Sequence, residues 1–166
     1  KNKIKVITGI SKDRTIAINK FFFKSIKKKK PFTKVKMAIS SDEKIARSNY
    51  QSKWISNSKS RFYAHYLRAK SQAILTTSKT IIKDNPRFTV RKKNTIIKNI
   101  NVVIIDKNLN IPLNAKLLNN LHDKRVIIFT SKKNLKSQKL KQLGCEIIEM
   151  KLTNNKLNLK KLFSHL

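Results

Sequence analysis

Cysteine is almost absent: Cys145 is the only one in 166 residues. A single thiol excludes a disulfide framework and any cysteine-built zinc cluster within the chain, and a reducing cytoplasm is the simplest setting. Acidic residues are also scarce, 8 against 40 Lys and Arg, which leaves a net charge of +32. Aromatics make up 7% and are not interleaved with basic residues, so no single-strand stacking platform is expected. No apolar run approaches the ~18 residues of a membrane span. No long apolar segment follows Lys1, Asn2 and Lys3, so no signal peptide is expected. Glycine and proline number 2 and 3, while Lys, Asn and Ile crowd every segment. That bias is global, as if the coding sequence had drifted toward AT-rich codons.

What remains is enough for a fold. Hydrophobic residues are 39% of the chain, sufficient for a packed core. The length fits one domain, or one domain with an arm. A charge this large invites a nucleic-acid reading, yet a functional basic patch is local and these lysines are spread throughout. The sharpest run, Lys27 to Lys30, is followed by Pro31 and reads as a charged hinge. No zinc-finger or RNA-recognition signature is present. Weak nonspecific binding at low salt is expected, but no specific nucleic-acid partner and no membrane.

The order of patterns points to a layered α/β fold. Residues 1–30 read as a joint, with a possible edge strand at Lys5 to Thr8. A short helix is expected over Thr15 to Lys24, its apolar Phe21–Phe23 face needing a cover. Residues 31–40 alternate apolar and polar, which predicts a strand. Residues 41–55 are loop-like. A helix is predicted from Ser56 or Ser58 to about Lys70, with Phe62, His65, Tyr66 and Ala69 on one face. Ala73 to Thr76 predicts a strand, Ser78 to Lys83 a helical turn, and Asp84-Asn85-Pro86-Arg87 a turn. Asn101 to Asp106, Arg125 to Thr130 and Cys145 to Met150 are apolar runs typical of buried parallel strands. Leu135 to Leu143 predicts a helix stopped by Gly144, and Asn158 to Leu166 begins another. Strand–helix alternation of this kind gives a mainly parallel sheet, with ligands beyond the C-terminal strand ends. Chemistry is therefore sought in the loops after Ser40, Thr76 and Asp106.

Four stretches in order carry a family resemblance. They are Phe32 to Asp42 (FTKVKMAISSD), Ser52 to Ser56 (SKWIS), Leu67 to Leu75 (LRAKSQAIL) and Thr80 to Arg91 (TIIKDNPRFTVR). Together they are similar to the reductase half of the bifunctional riboflavin-biosynthesis deaminase/reductase. The likeness is close over residues 31–106 and looser over 107–166. Residues 9–30 resemble the joint that follows the deaminase domain.

The resemblance implies a dihydrofolate-reductase-like fold. It implies reduction of 5-amino-6-(5-phosphoribosylamino)uracil by NADPH, a ribosyl group becoming ribityl. By the same resemblance Ser52, Arg68, Phe88 and Arg91 contact the substrate, and Ala38, Trp54, Thr80 and Asp84 face the cofactor. Lys36 and Asp84 are candidate proton-handling residues. The residue types agree, since Arg68 and Arg91 supply guanidinium forks suited to a phosphate. Each has a plainer reading: Trp54 as core, Arg68 as a solvated helix end, Asp84 as a turn cap. His65 reads as a packing residue, Cys145 as a buried thiol, and His122 and His165 lack metal-ligand spacing, so no metal is expected.

The departures matter as well. Glu43 stands where the family commonly has a glycine able to adopt a left-handed backbone. Lys107 follows Asp106 where a small Ser is common. The glycine-rich segment that cradles a cofactor phosphate in the family is not found before Leu166, and no H-x-E or P-C-x-x-C deaminase motif occurs. The expected organisation is a joint remnant over 1–30 and a C-terminally incomplete reductase domain over 31–166. A homodimer and a separately encoded deaminase are the expected partners. An inactive structural partner of that deaminase and a basic nucleic-acid-binding protein are the alternative functions.

Overall fold

The structure, a computed structural model, describes residues 3–49, 51, 55–92 and 95–166. Two compact units divide the chain. One spans residues up to Val35 together with Leu159–Leu166; the other is Lys36–Asn158.

The larger unit holds a parallel sheet whose central strands are largely apolar. β1 (Ala73–Thr77), β4 (Asn101–Ile105), β5 (Val126–Thr130) and β6 (Glu146–Glu149) pair in the order β1-β4-β5-β6, every pair parallel. β6, expected to be as apolar and buried, is Glu146-Ile147-Ile148-Glu149 with half-buried isoleucines and exposed glutamates at the sheet edge. All five β5 residues are buried, and Val102, Val103 and Ile104 are buried in β4. Such strands are covered on both faces, as the apolar runs predict. Their core includes Ile81, Ile111, Leu117, Ile128 and Leu140. Each such side chain contributes roughly 1.5–3 kcal/mol by leaving water. Cys145 joins this core, and burial pushes its thiol up to about 11. It is the buried structural thiol that its place in the sequence predicts.

The helices of this unit have readable ends. α3 (Ser58–Ala69) starts where the Asn57 side chain accepts the Ser60 N–H at 2.8 Å. α4 (Ser78–Asp84) follows β1 and ends at Asn85, whose φ is 40°. α5 (Leu135–Gln142) carries a reciprocal cap between Asn134 and Ser137 and stops before Gly144, whose φ of +100° suits glycine. Two antiparallel hairpins were not anticipated. β2 (Thr89–Lys92) pairs with β3 (Thr95–Asn99), and β7 (Leu152–Thr153) with β8 (Lys156–Leu157). Asn154 and Asn155 turn the second hairpin with φ of 49° and 57°, the left-handed geometry asparagine tolerates.

Several expectations are corrected. Residues 31–40 contain no strand, although they alternate as one, because no neighbouring strand pairs with them among the described residues. Lys5 to Thr8 likewise form no strand. The apolar face expected on α3 is also displaced. Phe62 and Tyr66 are 64% and 50% exposed, while Ala64, His65, Leu67 and Arg68 are half-buried. Two hydrogen bonds to β2 select that face instead: the Arg68 side chain donates to the Thr89 carbonyl, and the His65 side chain accepts the Arg91 N–H.

In the smaller unit the single helix expected over Thr15 to Lys24 is two, α1 (Lys12–Ile18) and α2 (Lys20–Lys28). Asn19 separates them, its side-chain amide donating to the Thr15 carbonyl at 3.1 Å. Phe21 and Phe32 pack with their rings tilted 42° and centroids 4.4 Å apart, and the Lys34 ammonium lies 4.4 Å from the Phe21 centroid. The C-terminal helix α6 (Leu159–His165) belongs to the same unit.

Candidate functional site

The strongest cluster of the expected residues forms where α3 meets β2. Arg68, in the last turn of α3, donates from Nη1 to the Thr89 carbonyl at 2.8 Å. One turn earlier, His65 Nδ1 accepts the Arg91 backbone N–H at 3.2 Å. These two bonds lash one helical face to the start of β2. They bring Arg68 and Arg91 into mutual repulsion: burial first, then the Arg91 charge, lowers the Arg68 pKa. His65 is lowered too, by burial and then by Arg68 and Arg91. A site whose cations repel one another and have no acid between them gains most by binding an anion. The phosphate suitability of the two arginines was legible from residue type. The part played by His65, read from sequence as packing, was not, because an acceptor for a backbone N–H leaves no pattern.

Thr89 sits at the same junction and is only 3% exposed, yet its hydroxyl has no hydrogen-bond partner among the described residues. A buried polar atom left this way costs about 1–3 kcal/mol. The chain reaches Thr89 through Asn85 and Phe88, both with positive φ, 40° and 52°. A left-handed backbone at an aromatic residue is strained, and Phe88 holds it while packing half-buried against the core. The turn is anchored at its other end by the Asn85 side chain, which accepts the Lys116 N–H at 2.8 Å.

Lys36 lines a cleft of about 440 Å³ with Met37, Lys59, Tyr63 and Leu67, on the flank of the helix that carries Arg68. Thr80 and Asp84 are exposed on α4, and no hydrogen bond or ion pair joins either side chain to the arginine cluster among the described residues. Ala38 lies half-buried in a stretch without regular structure. Ser52 and Trp54 lie outside the described residues. Glu43 has a φ of 61°, the conformation for which glycine is best suited. Its loop is closed by Ser40, whose hydroxyl donates to Asp42 and whose N–H donates to the Lys44 carbonyl.

The C-terminal rim of the sheet was expected to hold chemistry, and its details are mostly structural. Asp106 accepts the Asn110 and Ile111 N–H groups at 2.9 and 2.8 Å, which holds the loop after β4. The Lys107 carbonyl accepts from the Thr130 and Ser131 hydroxyls and from the Ser131 N–H. The Lys107 ammonium is engaged with the Asn155 side chain at 3.0 Å. Beside them, Ser131, Lys132, Lys151 and Glu149 border an open cleft of about 560 Å³. No cluster of metal-ligating side chains occurs among the described residues, and no helix among them is long and apolar enough to cross a membrane.

The family model described as the RibD C-terminal domain matches residues 31–166. The chain belongs to that family. A riboflavin biosynthesis protein RibD from Aquifex aeolicus is 37% identical over 159 residues, covering 96% of this chain and 44% of the relative. Among solved structures, Acinetobacter baumannii RibD superposes with a TM-score of 0.76 at 30% identity, over 94% of this chain and 42% of that one. A deaminase/5-amino-6-(5-phosphoribosylamino)uracil reductase from Thermotoga maritima superposes with a TM-score of 0.74 at 27% identity, over 98% of this chain and 43% of that one. The chain thus spans less than half the length of these relatives. Its parallel sheet with flanking helices is the dihydrofolate-reductase-like fold expected from the sequence.

Proposed function

We propose that the family's reductase reaction is the function of this chain: 5-amino-6-(5-phosphoribosylamino)uracil is reduced to the ribitylamino product. The observation that carries this reading is the Arg68–Arg91 pair, held to one junction by two hydrogen bonds and with no acidic counterion there among the described residues. A ribose phosphate supplies the missing negative charge, and guanidinium forks match its oxygens. In this reading Arg68 and Arg91 grip the phosphate, Ser52 meets the polar end of the substrate, and Phe88 offers its ring beside them. Lys36, on the flank of α3, orients the sugar oxygen.

NADPH supplies the hydride for such a reduction. The donor set fits a nucleotide with negative phosphates: an exposed Thr80 hydroxyl on α4, and Ser131 with Lys132 and Lys151 at the rim cleft. Ala38 would lie against the cofactor, Trp54 would stack or donate its indole N–H, and Asp84 would bond an amide or deliver a proton. A deaminase domain or chain, a second copy and a cytoplasmic setting complete the proposal.

The test is NADPH titration of the full chain at physiological salt, following the fluorescence of Trp54, with NADH as control. Saturable quenching selective for NADPH is expected. With substrate added, Arg68→Gln should raise KM by about 10–100-fold, the loss of a charged hydrogen-bond pair, while NADPH quenching stays as in the wild type. An absent NADPH response removes the reductase activity from this chain and leaves its family membership standing.

A further inference from the structure

We infer that His65 is a positioning residue for the anion site: its neutral imidazole holds the Arg91 main chain, and with it the guanidinium, in the phosphate-binding arrangement. This rests on the reading that Arg68 and Arg91 grip the substrate phosphate. The geometry behind it is the 3.2 Å bond from the Arg91 N–H to His65 Nδ1. A ring nitrogen that accepts a hydrogen bond carries no proton, so the other nitrogen is the protonated one in the neutral ring. The bond crosses from α3 to β2 at a point where the β2–β3 ladder shifts register, between Val90 and Arg91. The extra residue there, Ile97, lies on β3, so the ladder is interrupted opposite Arg91 and an acceptor outside the hairpin holds its N–H.

The charged groups acting on His65 are Arg68, on its own helix, and Arg91, on β2. Both oppose a proton on the ring, as does its partial burial. Protonation converts Nδ1 from acceptor to donor, so the Arg91 N–H loses its partner and faces another donor. Acidification therefore loosens the grip at Arg91. If His65 were instead a direct ligand of the anion, the added charge would tighten binding, so the sign of the pH effect separates the two roles.

The probe is inorganic sulfate, a dianion that does not titrate in this range, measured by calorimetry on the full chain at constant ionic strength. Wild-type affinity should fall about fivefold between about pH 7.5 and about pH 5, the equivalent of one net hydrogen bond. His65→Asn places an amide oxygen near the Nδ1 position and has no proton to gain. It should keep the neutral-pH affinity and show no pH dependence of its own. His65→Leu should bind about fivefold more weakly at both pH values. A thermal melt of each variant checks that the fold is intact.

Wild-type affinity that rises on acidification, a His65→Asn variant with the wild-type pH profile, or a folded His65→Leu variant with wild-type affinity overturns the inference. If Arg68→Gln binds sulfate as the wild type does, or the wild type binds none, the phosphate-site reading fails and takes the inference with it. Arg68-dependent binding that ignores both His65 variants overturns the inference alone.

Discussion

β5 and the stretch from Lys36 to Asn49 both carry several large apolar side chains, and only β5 is built into the sheet. Every residue of β5 is buried, with β4 on one side and β6 on the other. Met37, Ile39 and Ile45 are 68%, 47% and 68% exposed. The difference lies in neighbours rather than in the local pattern. β5 satisfies its main chain on both edges and its side chains on both faces, while the Lys36 stretch has no ladder on either edge among the described residues. A strand is a property of the pairing, and alternation only makes the pairing worthwhile.

The sharpest way to break this comparison is to truncate one apolar side chain in each region. Phe129→Ala in β5 should remove about 3–5 kcal/mol, read from the urea midpoint. Met37→Ala should change stability by less than about 0.5 kcal/mol. A comparable loss at Met37 would show that the stretch is packed as tightly as β5.

Asp106 stands at the boundary between an ordered strand and the loop that follows it. Asp106→Ala orphans the Asn110 and Ile111 N–H groups and should cost about 2 kcal/mol. Hydrogen exchange should accelerate at those two amides and leave the amides of β4 protected. Uniform acceleration across β4 would mean that the carboxylate supports the strand as well as the loop.

The smallest effect sharpens the other side. Glu43→Gly relieves a left-handed backbone worth about 1 kcal/mol of strain and returns part of that as unfolded-chain entropy. A net gain of about 0.5 kcal/mol in thermal stability is expected. A loss would show that the Glu43 side chain contributes something its exposure does not reveal.

The sequence made the buried strands legible because Val102–Ile105 and Val126–Phe129 are apolar without interruption, and both faces of such a run must be covered. α5 and its end were legible from Gly144. Residues 31–40 had the alternation of a strand, but a pattern does not say whether a partner is in reach. The β2–β3 hairpin was hidden by lysines and by a bulge that breaks the period of two. The β7–β8 hairpin had a usable signal in Asn154-Asn155, a pair suited to a left-handed turn. At the candidate site, the two arginines and the Phe88 turn were visible as residue types. His65 and the orphaned Thr89 hydroxyl were not, since both act through hydrogen bonds to or from a main chain whose path the sequence does not draw.

Among the described residues, β1 pairs with β4 alone, so its other edge has no strand partner and is the kind of edge onto which an extended segment of a second copy zips. The excess of 32 positive charges is what holds such encounters off, and it works only through the reach of the ionic atmosphere. That reach shrinks from about 10 Å at 0.1 M salt to about 3 Å at 1 M. The molecule is therefore a charge-stabilised colloid with a sticky seam: it keeps best in dilute buffer, and concentrated brine is the condition most apt to precipitate it.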